Sequence, residues 1–120
     1  MALHNQLGIQ GEAIAKTYLE SKDYEILEEN WVYRKAEVDL IALYKRQLIF
    51  VEVKTRTSVT FGQPEDFVDL RKQKNLQKAA EEYIYLINFK CEIRFDIISI
   101  VFNKQGEYQL HHIEDAFWDP

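Results

Sequence analysis

Two neighbouring apolar stretches, AEVDLIAL and LIFVEVKTR, carry Asp39, Glu52 and Lys54, and Glu12 lies upstream in GEAIAKTYLE. Two carboxylates about 4 Å apart repel by roughly 4 kcal/mol at an effective dielectric of 20, so such a pair stays ionised only with a cation between them. Hard oxygen ligands suit Mg²⁺, with Mn²⁺ as the alternative ion, and Mg²⁺ keeps several waters while taking few protein ligands. An ion held this way polarises a phosphoryl oxygen and lowers the pKa of a bound water. On an extended segment a lysine two residues past a carboxylate projects to the same side. There it orients the water or neutralises developing charge. These are the parts of metal-assisted phosphodiester hydrolysis. The plainer alternative is a charged hairpin face, with Asp39 and Glu52 cross-linked by Lys54 or Arg56. An acid-x-Lys triplet alone is expected about once in a chain of this composition.

The elements that must position these residues follow from periodicity. Leu7, Gly11, Ile14 and Tyr18 recur at helical spacing between residues 4 and 21, widened by Ala15 and Leu19. Residues 24–33 read as an edge strand. EVDLIALY and LIFVEVKTR around a short polar link read as a hairpin. Its strands are expected to direct Glu37 and Asp39 to one side, and Glu52 and Lys54 to one side. Val38, Leu40, Val51 and Val53 then point the other way into the core. A link with an even number of residues, for instance with Lys45 opposite Leu48, brings Asp39 to the face of Glu52, whereas a simple three-residue link separates them. The candidate site requires the even register or a β-bulge. Pro64, Glu65 and Asp66 suit the start of a second helix. Its apolar stripe is Leu76, Ala79, Ala80, Tyr83, Ile84 and Ile87, with Arg71, Lys72, Lys74 and Lys78 mostly elsewhere on the cylinder. IRFDIISIVF reads as a strand covered on both faces, and EYQLHHI as a last strand. The order α, β, β, β, α, β, β makes an α/β fold with a mixed sheet and helices on its faces.

A chain of 120 residues has the size of a single domain, 1–120, and 47% hydrophobic with 29% charged residues is ordinary globular material. One cysteine excludes an internal disulfide and a Cys-rich zinc site. No run reaches the ~18 apolar residues of a membrane span, and MALHNQLGIQGEA has no secretory core. A cytoplasmic location is therefore expected. The net charge of −5 excludes a non-specific DNA coat. It hides two basic segments, however: residues 31–56, with six basic and three acidic side chains, and RKQKNLQK at 71–78, with four basic and none acidic. Screening over about 8 Å lets such segments steer a polyanion locally.

GEAIAKTYLESKDYEILEENW, AEVDLIAL, LIFVEVKTR, FGQPEDFVDLRKQKNLQKAAEEYI and IRFDIISI occur in that order. Together they resemble the YraN family of bacterial proteins, which is similar to Holliday junction resolvases and belongs with the PD-(D/E)XK nuclease superfamily. The resemblance covers residues 7–117. It implies a restriction-endonuclease-like core and a Mg²⁺-dependent nuclease acting on DNA, branched or single-stranded. Under that resemblance Glu12 is the helix-borne acid, Asp39 the first strand acid, Glu52 the second metal ligand and Lys54 the catalytic lysine. The Val53 carbonyl is a further ligand, and Arg56, Lys72 and Lys74 are phosphate contacts. Resolvase-like cutting of two strands implies a two-fold homodimer. One departure stands out: the family usually reads Gly-Glu-Ile-Asp, and Ala36 replaces the glycine, which bears on the shape of a bulge before Asp39. The alternatives are a nucleic-acid-binding module that keeps the fold with little catalysis, and a protein-interaction subunit using the acidic C-terminal segment.

Other residues weigh less. The whole basic run, Arg71, Lys72, Lys74 and Lys78, is either a nucleic-acid stripe or a solvated helix face. His111 and His112, beside Glu114, point to opposite faces of a strand and so make a poor zinc site. Trp31, Tyr33, Phe117 and Trp118 are read as core or interface rather than base-stacking groups. Cys91 is read as a buried small hydrophobe.

Overall fold

Residues 2–57 and 69–116 are described by the computed structural model, with side chains from Gln6 onward. The element order is α1 (Ala2–Ser21), β1 (Glu25–Tyr33), β2 (Ala36–Tyr44), β3 (Gln47–Arg56), α2 (Leu70–Ile87), β4 (Glu92–Phe102) and β5 (Tyr108–Ile113). The five strands lie side by side in sequence order. All neighbours are antiparallel except β3 and β4, which run parallel because α2 returns the chain between them. This is the α/β fold with a mixed sheet expected from sequence, and it is compatible with a restriction-endonuclease-like core.

Strand alternation divides the core into two clusters on the two faces. Val38, Ile41, Leu48, Phe50, Phe95 and Ile97 pack against Leu76, Ala79, Ala80 and Tyr83 of α2. Leu40, Ala42, Ile49, Val51, Ile98 and Ile100 pack against Ala15 and Leu19 of α1. Each fully buried aliphatic or aromatic side chain contributes about 1.5–3 kcal/mol.

The β2–β3 link is two residues long, Lys45 and Arg46, with Tyr44 opposite Gln47 and Leu40 opposite Val51. The even register that the site requires is therefore present, with a link as long as with Lys45 opposite Leu48 but one position earlier in the chain. Both turn residues have positive φ, 48° and 68°, the left-handed pair that a tight hairpin needs and that Asn-Gly normally supplies. Replacing Lys45-Arg46 by Asn-Gly is expected to raise stability by about 1 kcal/mol. The gain is limited because Lys45 Nζ also lies 5.1 Å from the Tyr44 ring centroid, a cation–π contact that the change removes. A higher urea midpoint at unchanged slope would confirm it; an unchanged midpoint would show that the turn carries no strain.

Several expectations are corrected. Val38 and Leu40 do not share a face: Val38 belongs to the α2-side cluster and Leu40 to the α1-side cluster. The alternation breaks at Asp39, where the partner strand passes through Asn30 at φ 52° between the Glu29–Leu40 and Trp31–Val38 pairs. Asp39 is buried while Glu37 is exposed, although the charges of both bear on Glu12. Ile87 is 43% exposed rather than part of the stripe, and Lys72 lies on the sheet-facing side of α2. Cys91 is exposed, because it sits in the turn just ahead of β4. The described part of α2 starts at Leu70, with Asp69 capping it by accepting from the Lys72 N–H at 2.8 Å. The start assigned to Pro64–Asp66 lies outside the described residues.

Candidate active site

Glu52 and Lys54 lie in the second half of β3, towards the C-terminal end of the parallel β3–β4 pair, the end at which α/β sheets take their ligands. The two-residue hairpin brings Asp39 across from Glu52. Regular pairing of β2 with β3 stops at Leu40 and Val51. Beyond that point the Asp39 carboxylate stands in for a ladder partner, accepting the Val53 N–H at 2.7 Å through Oδ2. The irregularity at Asn30 and Asp39 thus turns one carboxylate out of the strand's alternation and towards its neighbour.

α1 supplies the third acid by close approach. A Cβ on Gly11 would run into the Thr55 hydroxyl and lie 3.2 Å from Thr55 Cβ and Cγ2. Only glycine lets the helix backbone come this near β3. Glu12, the next residue, is thereby held where Glu52 and Glu37 act on its charge, and its carboxylate accepts a hydrogen bond from the Asn30 side chain.

Lys72, at the N-terminal end of α2, forms a close ion pair with Glu52 Oε2, and Lys54 Nζ lies 3.6 Å from the same oxygen. The other oxygen, Glu52 Oε1, is buried and has no hydrogen-bond partner. Leaving a charged acceptor buried and unsatisfied is costly.

The electrostatics follow from burial and crowding. Burial and then the Glu52 charge push the Asp39 carboxyl up to about 8, against the pull of the Val53 N–H and Lys72. Burial, offset in part by Asn30 and reinforced by neighbouring carboxylates, also raises Glu12. Lys54 is lowered by burial and by Lys72 beside it. Lys72 is raised, because the ion pair with Glu52 outweighs its burial. Three mutually repelling carboxyl groups with one empty acceptor are what a hard divalent cation would relieve. The donor set fits such an ion, although among the described residues no three Asp, Glu, His or Cys side chains converge closely enough to enclose one by themselves.

The structure brings together Glu12, Asp39, Glu52, Val53, Lys54 and Lys72. Arg56, at the end of β3, and Arg71, Lys74 and Lys78 on α2 are exposed around them. Ala36 has no positive φ, and its methyl packs in the core opposite Tyr33. The missing glycine therefore costs the strand nothing at that position. Asn30, Gly11 and Thr55 were not legible as site-building residues. The available hint was an asparagine, the residue type enriched at left-handed positions, between two strand-like runs. His112 points inward and His111 outward, as expected for strand neighbours, and no zinc cluster forms among the described residues.

The model of the family described as Uncharacterised protein family UPF0102 matches residues 11–100 of this chain. The chain belongs to the UPF0102 family. This is the family, also called YraN, that the sequence blocks resemble. A UPF0102 protein of Flavobacterium psychrophilum is 48% identical over 98% of both chains, and one of Christiangramia forsetii is 49% identical over the same shares. A UPF0102 protein of Caldanaerobacter subterraneus is 50% identical over 92% of this chain and 93% of its own. The matched span holds every residue of the acidic cluster from Glu12 to Lys72. No described helix of this UPF0102 chain is long and apolar enough to cross a membrane.

Proposed function

We propose that the protein is a metal-dependent nuclease that hydrolyses phosphodiester bonds in DNA. The observation that carries this reading is the buried, partnerless Glu52 Oε1 beside an over-crowded Asp39 carboxyl and two lysines. Glu12, Asp39, Glu52 and the Val53 carbonyl would hold Mg²⁺ or Mn²⁺, which when bound supplies Lewis acidity towards a phosphoryl oxygen and activates water. Asp39 would bind such an ion as the carboxylate, and the Val53 N–H keeps that carboxylate aimed. Lys54, whose pKa is lowered by burial and by Lys72 beside it, orients the attacking water or stabilises charge on the phosphoryl group. Lys72 compensates the Glu52 charge, and with a cation on Glu52 its ammonium would be available to a substrate phosphate. Arg56, Arg71, Lys74 and Lys78 supply further phosphate contacts, and a symmetric branched substrate would engage two copies of the chain.

The test is hydrolysis of labelled branched, nicked and single-stranded oligonucleotides with Mg²⁺ or Mn²⁺. Glu52→Gln and Lys54→Met are each expected to lower the rate by about 10²–10³-fold, as expected for removal of a preorganised charge-stabilising group, while oligonucleotide binding persists. Saturating binding with no hydrolysis by the wild-type chain would instead support the binding-module reading.

A further inference from the structure

A groove of about 770 Å³ opens between the β1–β2 turn and α2, lined by Tyr33, Arg34, Lys35, Ala36, Asn75, Lys78, Glu81 and Glu82. Its size lies within the range of sites that enclose small ligands. It lies near the acidic cluster along two elements that both carry residues of each. On β2, Ala36 is three residues, roughly 10 Å, from Asp39. On α2, Asn75 is about 4.5 Å along the axis from Lys72, and Lys78 a further ~4.5 Å. A strand whose phosphate sits between Asp39 and Lys72 therefore passes its adjoining nucleotide into this groove.

The lining suits a nucleotide rather than a bare anion. Trp31 and Tyr33 stack at 8° with centroids 6.3 Å apart, and the Arg34 guanidinium lies 5.3 Å from the Tyr33 ring centroid while its Nε donates to the Tyr33 hydroxyl at 3.0 Å. Trp31 is braced from below by Tyr83, edge-on at 5.1 Å. The result is a fixed ladder of planar groups ending in an exposed guanidinium, the kind of surface on which an unpaired base stacks. Lys35 and Lys78 flank it with positive charge, and Glu81 and Glu82 offer acceptors for exocyclic amino groups of a base. Arg34 is held at φ 57°, a left-handed conformation that costs a non-glycine residue stability. The two-residue turn between Tyr33 and Ala36 demands that conformation, and arginine fills it with a side chain laid on the Tyr33 ring.

Resting on the reading of this face as a nucleic-acid surface, we infer that the groove holds an unpaired nucleotide adjoining the reactive phosphate. Its base stacks on the Arg34–Tyr33–Trp31 ladder, and its phosphate lies on Lys35 and Lys78. A fully paired duplex keeps its bases stacked on one another and gains nothing from the ladder, so the groove selects single-stranded or frayed substrates.

The test measures binding of labelled single-stranded and fully paired oligonucleotides to the whole chain in EDTA, by fluorescence anisotropy, for wild type and Arg34→Gly. Glycine relieves the backbone strain, so the variant is expected to unfold at a higher temperature. It is nevertheless expected to bind single strands about tenfold more weakly, the scale of losing one stacked base, with duplex affinity within about twofold of wild type. An oligonucleotide with one abasic position should lose a similar factor against wild type and little against Arg34→Gly. Equal losses for single strand and duplex would reduce Arg34 to a phosphate contact and overturn the proposal, as would unchanged single-strand affinity. Because no metal is present, these readings are independent of hydrolysis. A wild-type chain that never cleaves yet shows the Arg34-dependent preference would refute the nuclease and keep the nucleotide site.

Discussion

Asparagine at position 39 is expected to abolish metal-dependent hydrolysis and, at the same time, to make the folded chain more stable at pH 8. The Asp39 carboxyl is pushed up to about 8 by burial and by Glu52, against an ordinary unfolded value near 3.9. Between those two values the unfolded chain has lost the proton and the folded chain has kept it. The unfolded state binds fewer protons there, so wild-type stability falls as pH rises from about 4 to about 8. The asparagine amide never titrates, and its Oδ1 still accepts the Val53 N–H. The expected gain at pH 8 is on the order of 2–4 kcal/mol, read from urea unfolding at pH 5, 7 and 8, with the wild-type slope flattened in the variant. Mg²⁺ or Mn²⁺ should stabilise the wild-type chain, by about 2.7 kcal/mol at a hundredfold excess over Kd. It should leave Asp39→Asn unmoved. A variant less stable than wild type at pH 8 would mean that Asp39 is a structural carboxylate, and the catalytic reading would fall with it.

Removing Asp96 should have the opposite consequence: a large loss of stability with hydrolysis per folded molecule preserved. Asp96 is fully buried on β4, on the α1 side of the sheet and so away from Glu52. It accepts Arg94 Nε and Nη2 at 2.8 Å each, sits 2.7 Å from His112 Nε2 of β5, and takes the Asp115 N–H at 3.0 Å. Arg94 Nη2 is shared with the Tyr24 hydroxyl at 2.7 Å, and the Tyr18 hydroxyl meets His112 Nδ1 at 3.0 Å. One carboxylate thus ties β4, β5 and the α1 end of the molecule together. Asp96→Ala leaves the buried Arg94 with only the longer Glu114 contact at 3.5 Å as counter-charge and is expected to cost about 3–5 kcal/mol in chemical denaturation. That is a large share of the stability of a chain this size. Replacing the pair together, Arg94→Met with Asp96→Leu, should recover much of the loss. A mild effect of Asp96→Ala would show that the network is decoration. Burial alone would raise Asp96, but His112, Arg94 and the Asp115 N–H outweigh it and hold the carboxyl below the ordinary range. Its contribution is therefore complete above about pH 4, the ordinary carboxylate value, and is lost as pH falls through the lower folded value.

Periodicity alone determined the elements of this protein and their order, because a helical stripe such as Leu7, Gly11, Ile14, Tyr18 and a strand pattern such as LIFVEVKTR are local properties of the chain. The acids of the candidate site were legible for the same reason: charges within otherwise apolar strands stand out against the cost of burying them. Their assembly was not legible. Lys45-Arg46 carries no turn signal that selects a two-residue link, so the register that sets Asp39 across from Glu52 came from matching β2 and β3 to two helix-covered faces. The face switch at Asp39 depends on Asn30, whose left-handed backbone matters only once β1 lies beside β2. Lys72 was visible as one charge in a basic run, and only the docking of α2 shows it turned inward to Glu52. Arg94 and Asp96 stand out in IRFDIISIVF as well, but their network was not legible, because its partners Tyr18, Tyr24 and His112 come from distant parts of the chain. Local pattern reports what each segment must bury; which buried charges meet is decided by long-range packing, where a carboxylate's surroundings set its charge, its partners and its use.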